Sequence, residues 1–421
     1  MDYLKINKNG YNLHFIKTDK FKTITIRVNF KSELTEEKIT TYELLSGVLS
    51  NSTGDYPTLK ELVMKKEDMY QLGYGFNSMP SGKYMVLAAS TKFIHEKYTE
   101  NGMNLKSIRF FLNSIFKPNL DGKAFNKDAF DLEKRDYLEY LEEVEENPST
   151  VSCTRFNKIF GADTTLAYDR TGDILTLKNI TNESLYDTYL DAINNSEIDI
   201  FFIGNMDVNE LEGIFDEYFS NRSNISYDGV HDDIIRIGEE VSVVEKSKFK
   251  QSKLCMGFVI EPMTLFEKMY VLPVYNFIFG GDSDSLLFKN VREKNSLCYD
   301  IHSNFIPIYS AIRVFSGIEA KDYETCVSLV KEMHQAMIDG KFTDADIEKV
   351  KLNYKASYLE TMDSPSSILN TYEAHVYIGY DLLDERIKNI DKVDKKMIEE
   401  FASKVHYQTT YFLEGNDEKR D

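Results

Sequence analysis

Tryptophan is absent from this chain of 421 residues, and cysteine is scarce. The four cysteines are widely scattered and form no Cys-x-x-Cys pair; they are Cys153, Cys255, Cys298 and Cys326. This scatter argues against a disulfide framework, and we expect buried, reduced thiols in a cytoplasmic protein. Tyrosine and phenylalanine each number 27. That aromatic bias fits an AT-rich genome and carries no functional signal.

Long apolar runs are missing as well. The run from Leu254 to Ile260 is among the longest, and a membrane-spanning helix needs about 20 apolar residues. The first nine residues are charged and have no apolar core of the kind found in signal peptides. We therefore expect a cytoplasmic location and no membrane partner.

Positive charge is also in short supply. The chain has 50 Lys and Arg against 69 Asp and Glu, which gives a net charge of -19. Binding to a phosphate backbone needs clustered basic residues, so we expect no nucleic-acid partner. The negative charge has two open interpretations: it attracts basic peptides to an acidic cavity, or it only keeps the protein soluble.

What the sequence does contain is an internal echo. The heptapeptide 72–78, Leu-Gly-Tyr-Gly-Phe-Asn-Ser, returns at 297–303 as Leu-Cys-Tyr-Asp-Ile-His-Ser. A basic-acidic pair precedes each copy, Lys66-Glu67 in the first and Arg292-Glu293 in the second, which roughly pairs Lys66 with Arg292. Further along, Asp-Leu-Glu-Lys at 131–134 returns as Asp-Ile-Glu-Lys at 346–349. Because both echoes occur in the same order, the sequence predicts a duplicated domain.

The order of predicted elements gives the fold class. In each half, strands that pair locally alternate with separate groups of helices, which is typical of α+β domains. We therefore predict two homologous domains, each a largely antiparallel sheet packed against helices. The segment 221–240 is rich in Asn, Ser, Asp and Gly, so it is the predicted linker. It divides an N-terminal domain, 1–220, from a C-terminal domain, 241–421.

One stretch of the second half resembles a known family. It consists of Ser-Asp-Ser-Leu-Leu-Phe at 283–288, Val-Arg-Glu-Lys at 291–294 and Leu-Cys-Tyr at 297–299. It looks like a diagnostic segment of the pitrilysin/insulinase peptidases, a family that includes the mitochondrial processing peptidases. Ser296 stands where the family usually has glycine. The resemblance extends over the whole chain, because the family's half-molecule is itself a duplication of two α+β domains.

The resemblance implies a zinc motif that this chain does not have. In the family, His-x-x-Glu-His on the first helix holds the metal and activates a water molecule. The corresponding segment here, 36–50, has no histidine, and no histidine in the chain directly follows a glutamate. One glutamate of the acidic helix predicted at 127–146 could take the place of the family's further Glu ligand. We therefore expect no catalytic residue, no metal ligand and no cofactor in this chain, the alternative being a zinc site built from scattered residues.

The family's substrate-contacting residues are retained. By resemblance, Arg292 and Tyr299 are substrate-binding residues that reach toward a zinc ion. A chain with this half of the site implies a homologous, zinc-bearing peptidase subunit as its partner in a heterodimer, with zinc in that partner and peptides as substrates. The chain alone could pair with itself. Three alternatives stay open: an inactive structural or scaffold subunit, a peptide-binding accessory protein, and a peptidase with an unrecognised metal site.

Overall fold

The computed structural model describes residues 1–220, 222, 224–227 and 231–416. Contacts between Cα atoms divide the chain into two compact units. Unit 1 comprises the described residues of Met1–Glu142, Arg170–Val230 and Ser364–Glu373. Unit 2 comprises those of Glu143–Asp169, His231–Asp363 and Ala374–Asp421. Of the predicted linker and C-terminal domain, residues 221, 223, 228–230 and 417–421 lie outside the described residues. The division at 1–220 and 241–421 stays a prediction.

Strands form one sheet in each half. Those of the first half are β1 (Asp2–Lys8), β2 (Tyr11–Lys17), β3 (Thr23–Glu33), β4 (Gly73–Ser81), β5 (Tyr84–Ile94) and β6 (Glu197–Gly204). Those of the second half are β7 (Val241–Lys246), β8 (Ser252–Ile260), β9 (Cys298–Ile306), β10 (Ala311–Ile318) and β11 (Val405–Glu414).

Helices connect these strands. Those that begin before β7 are α1 (Glu36–Asn51), α2 (Leu59–Asp68), α3 (Met103–Phe116), α4 (Lys127–Val144), α5 (Pro148–Phe160), α6 (Ile174–Asn179), α7 (Asn182–Asn194) and α8 (Val208–Phe219). Those that follow are α9 (Leu272–Asn276), α10 (Tyr323–Ile338), α11 (Asp344–Thr361), α12 (Pro365–Ile378), α13 (Leu383–Ile390) and α14 (Lys395–Ala402).

Apart from the additional edge strand β1 in the first sheet, the two sheets have the same topology. The first has the order β1-β2-β6-β3-β5-β4 and the second β7-β11-β8-β10-β9, so β2, β6, β3, β5 and β4 correspond to β7, β11, β8, β10 and β9. Each sheet has one parallel pair, β2 with β6 and β7 with β11, and its other pairs are antiparallel. The predicted fold class, two homologous and largely antiparallel α+β domains, is confirmed.

Strand β3 differs from the sequence-based expectation. Its alternating pattern predicts a half-buried strand, and Ile24, Ile26 and other apolar residues are indeed fully buried. Its polar face is covered too, because Asn29 donates a hydrogen bond to Glu373 of α12 and Lys31 forms an ion pair of 2.7 Å with Glu197. Buried polar groups need such partners. Strand β3 is therefore buried on both faces of its sheet.

Residues 265–281 form one helical stretch with two irregular turns. Wide π-helical turns span Glu267–Val271 and Phe277–Gly281, and α9 lies between them with Pro273 in its first turn. Thr264 and Glu267 hydrogen-bond each other reciprocally at the start of this stretch, as in a capping box. The stretch packs its apolar residues into the core of the second sheet.

Candidate functional site

Arg292 lies at the end of a π-helical segment, Phe288–Glu293, just before β9. Its guanidinium carbon is 4.5 Å from the centre of the Phe288 ring, a cation–π contact that orients the side chain. The residue is exposed. Within the described part of the chain, its guanidinium forms neither an ion pair nor a side-chain hydrogen bond. Its donors are therefore available to another molecule.

The turn between Arg292 and β9 is fixed by two backbone hydrogen bonds. The Ser296 amide donates to the Arg292 carbonyl at 3.0 Å, and the Leu297 amide donates to the Val291 carbonyl at 3.2 Å. Ser296 has φ 53°, in the left-handed region that favours glycine. The residue that replaces the family's usual glycine therefore adopts a glycine-like conformation.

Tyr299 is the second residue of the edge strand β9, which pairs with β10 on one side only. In that pairing Cys298 lies opposite Ile318 and Asp300 lies opposite Gly317, so Tyr299 is an extra residue, as in a β-bulge. Its side chain is 78% exposed, and its hydroxyl has no hydrogen-bond partner among the described residues. The bulge directs the phenol into solvent.

The Arg292 charge acts on the thiol of Cys298, the residue that precedes Tyr299 in the chain. Burial raises the pKa of this thiol, while the nearby Arg292 charge opposes that shift. A long-lived thiolate at Cys298 is thus disfavoured. The chemistry available at this position comes from the guanidinium and the phenol, both of which point away from the core.

The equivalent turn of unit 1 closes with the same backbone hydrogen bond, although Tyr70 as well as Gln71 has a positive φ there. Its tyrosine is hydrogen-bonded inside the unit. The Leu72 amide donates to the Lys66 carbonyl at 3.1 Å, and Gln71 has φ 58°. This bond aligns Lys66 with Val291 and Glu67 with Arg292, one residue away from the pairing of the basic residues that the sequence suggests. Tyr74, the counterpart of Tyr299, donates to the Leu49 carbonyl at 2.7 Å, and burial raises the pKa of its phenol.

The first helix of unit 1 does not fit a zinc ion. Helix α1 has no histidine. Glu133 of α4 reaches α1, where its carboxylate accepts a hydrogen bond from the Asn51 amide, and burial raises the pKa of this carboxyl group. Among the described residues, no group of three or more His, Cys, Asp or Glu is arranged to hold a metal ion. A single carboxylate that already accepts a hydrogen bond from an amide is not enough to bind zinc.

Comparisons with known proteins agree with this picture. A family model described as "Peptidase M16 inactive domain" matches residues 179–354. The chain is 29% identical over 422 residues to the "Probable inactive metalloprotease YmfF" of Bacillus subtilis (strain 168), covering 98% of both chains. In the described part of the chain, no helix is long and apolar enough to cross a bilayer.

Solved structures support the same fold. A conserved protein from Enterococcus faecalis V583 superposes with a TM-score of 0.93 at 26% identity, covering 100% of both chains. A structure described as the peptidase M16 inactive domain from Pseudomonas fluorescens superposes with a TM-score of 0.81 at 14% identity, also covering 100% of both chains. The predicted resemblance to the pitrilysin/insulinase peptidases is confirmed. In motif, fold and sequence the chain is therefore similar to the peptidase M16 inactive domain and to a relative described as a probable inactive metalloprotease.

Proposed function

We propose that this chain is the zinc-less subunit of a cytoplasmic, heterodimeric M16-type peptidase. In this proposal Arg292 and Tyr299 complete the active site of a homologous, zinc-bearing partner, and the complex cleaves peptides. The observation that carries the proposal is the state of these two side chains. Both are exposed at one position and lack partners within the described residues, whereas Tyr74 is hydrogen-bonded inside its own unit.

The two side chains have the chemistry that such a role needs. A guanidinium offers several fixed donors and a permanent charge, which suit a substrate carbonyl or carboxylate. A phenol hydroxyl can donate a hydrogen bond to the oxyanion that develops when water attacks a peptide carbonyl. Zinc would come from the partner, because the residues on α1 do not fit the metal.

The place of Tyr299 in the sheet adds a way to hold the peptide. Strand β9 is an edge strand, so the backbone groups on its outer side have no neighbouring strand within the part of the chain that the structure describes. An extended peptide could add to this edge through backbone hydrogen bonds. Such hydrogen bonds involve the backbone of the peptide and not its side chains. The complex would therefore accept peptides of many sequences.

The proposal is tested by reconstitution. The chain is purified alone and together with a zinc-bearing homologue from the same genome, and zinc-dependent hydrolysis of a fluorogenic peptide is measured for each subunit and for the mixture. We expect turnover only in the mixture, and a stable heterodimer on gel filtration. Robust zinc-dependent hydrolysis by the lone chain would refute the division of labour, and an inactive scaffold role is favoured if the mixture forms but never cleaves.

A further inference from the structure

The outer edge of β7 is open in unit 2, whereas the equivalent edge of unit 1 is covered. Strand β7 is the counterpart of β2, because each belongs to the parallel pair of its sheet. In the first sheet the other side of β2 carries β1, which is antiparallel to it. Among the residues that the structure describes, no strand occupies that side of β7. The duplication therefore indicates which kind of element fits there, an antiparallel strand.

The parallel pairs align the two edges residue by residue. Each pair has six residues in register and ends at the last residue of both strands. These ends are Lys17 beside Gly204 in the first sheet and Lys246 beside Glu414 in the second. If the ends are superposed, Lys246 takes the position of Lys17.

In the first sheet the residues of β1 suit the strand that β1 covers. Asp2 lies opposite Lys17, which pairs opposite charges, and Leu4 lies opposite Phe15, which pairs apolar side chains. Cross-strand pairs of these kinds stabilise neighbouring strands and fix their register. A strand that covers β7 in the same manner must therefore suit the residues that β7 has at these two positions.

Strand β7 has an exposed apolar side chain and an exposed charge at the two positions. Val244, which takes the position of Phe15, is 53% exposed. Lys246, which takes the position of Lys17, is exposed and forms neither an ion pair nor a side-chain hydrogen bond within the described part of the chain. An apolar residue in the middle of an edge strand and a charge at its end favour pairing with a strand of matching pattern.

The acidic residues before β7 set the direction of such a strand. Glu239 and Glu240 are exposed, and Glu240 also forms an ion pair of 3.2 Å with Lys331. In an antiparallel pair these carboxylates lie near the C-terminal end of the added strand, as Tyr11 lies opposite Lys8 of β1. A basic residue at that end suits them, whereas the parallel direction would bring an acidic end next to them.

We propose that the outer edge of β7 binds an extended segment of a partner protein as one more antiparallel strand. The segment has a carboxylate near its N-terminal end, opposite Lys246, an apolar residue opposite Val244, and a basic residue at its C-terminal end, near Glu240. This interaction goes beyond the proposed function, because β7 and β9 are opposite edges of the second sheet and Arg292 takes no part in it.

The test uses the full-length chain and a peptide with the sequence of β1, Asp-Tyr-Leu-Lys-Ile-Asn-Lys. The peptide carries an N-terminal fluorophore and a C-terminal amide, and its binding is measured by fluorescence anisotropy. The control peptide has the two terminal residues exchanged, so that its composition is the same and its charges are reversed. We expect the first peptide to bind about tenfold more tightly, because two attractive charge pairs become repulsive in the control.

Three variants locate the binding site. Lys246→Glu should weaken binding of the β1 peptide about tenfold and strengthen binding of the control peptide. Lys17→Glu, at the equivalent position of the covered edge, is exposed as well and should change neither. Val244→Lys places a charge in the middle of the open edge and should abolish binding of both peptides. Circular dichroism checks that each variant is folded.

The outcomes that overturn the proposal are distinct. Equal binding of the two peptides, equal effects of Lys246→Glu and Lys17→Glu, or no binding up to about 1 mM peptide each contradicts it. A loss of binding in Arg292→Ala would place the peptide at β9 and overturn the assignment to β7. If the chain alone sediments as a dimer that Val244→Lys dissociates, the edge binds a second copy and the separate partner is wrong.

Discussion

The turns that end at Tyr74 and Tyr299 share a backbone hydrogen bond but differ in the environment of their tyrosine side chains. Both place a polar residue in the left-handed region. Both close with a hydrogen bond from a leucine amide to the carbonyl six residues earlier, Leu72 to Lys66 and Leu297 to Val291. In unit 1 the tyrosine points inward and binds a backbone carbonyl, and the position of Arg292 is occupied by Glu67. In unit 2 the tyrosine points outward from a bulge that follows the exposed Arg292. The comparison teaches that the fold needs the turn but does not need Arg292 or an exposed Tyr299.

The largest expected difference between the two tyrosines is in stability. Tyr74→Ala removes a ring that contacts Phe76 and Phe110 and a hydroxyl bonded to Leu49, so it should lower the free energy of unfolding by about 3 kcal/mol. Tyr299→Ala removes an exposed side chain and should cost less than about 0.5 kcal/mol. Urea unfolding followed by circular dichroism measures both. Similar losses would mean that Tyr299 is structural.

The stability of the protein is also expected to depend on pH through a buried histidine of unit 2. In unit 2, burial lowers the pKa of His334 to about 4, and the ring lies between the Tyr275 hydroxyl and the Val405 carbonyl. The unfolded chain binds this proton near pH 6.5, so stability is full above that pH and is lost as the pH falls toward 4. The loss should approach about 3 kcal/mol.

Urea midpoints at pH 7.5 and pH 5 measure this effect. In His334→Leu the difference between the two midpoints should shrink, whatever the absolute stability of the variant, because the titrating group is gone. An unchanged difference would assign the acid sensitivity to other groups.

A smaller effect is expected for the hydroxyl of Tyr299 in the reconstituted complex. Tyr299→Phe deletes one hydrogen-bond donor to the oxyanion and should lower kcat by about tenfold. Tyr140→Phe, which changes another exposed tyrosine on α4, is the matched control and should leave kcat unaltered. Equal rates for the two variants would remove Tyr299 from the proposed site.

The smallest effect concerns the shared turn. Ser296→Gly and Gln71→Gly each relieve a left-handed residue, and each should stabilise the protein by about 0.5 kcal/mol. Ser296→Ala, which keeps a Cβ, should not. Thermal unfolding compares the three variants, and a gain in only one unit would show that the turns are not energetically equivalent.

Much of the fold could be predicted because the duplication appears as short sequence motifs that recur in the same order in both halves. The echo around Tyr74 and Tyr299 marks equivalent edge strands, and the missing histidines of α1 are visible by inspection. What the sequence could not give depends on distant residues. Glu373 covers the polar face of β3 from more than 300 positions away, and no period-2 pattern encodes that contact.

Part of the candidate site is visible in the sequence for the same reason. Arg292 and Tyr299 belong to one short motif, so spacing alone brings them together. The π-helical turns at Phe288–Glu293 and the bulge at Tyr299 have no sequence signal of their own, and the alignment of Lys66 with Arg292 was therefore off by one residue. The cavity of unit 2 that Cys153 of α5 and Lys253 of β8 line was not predicted, because these two elements lie about 100 residues apart and pack only in the folded unit.

The most direct test of the central claim is the turnover of the reconstituted complex with Arg292→Ala. Lys294→Ala removes a neighbouring exposed charge from the same turn and serves as the control. The account predicts a loss of about 100-fold in kcat/KM for Arg292→Ala, a normal rate for Lys294→Ala, and unchanged assembly of both variants with the zinc-bearing subunit. Equal turnover of the two variants would contradict it.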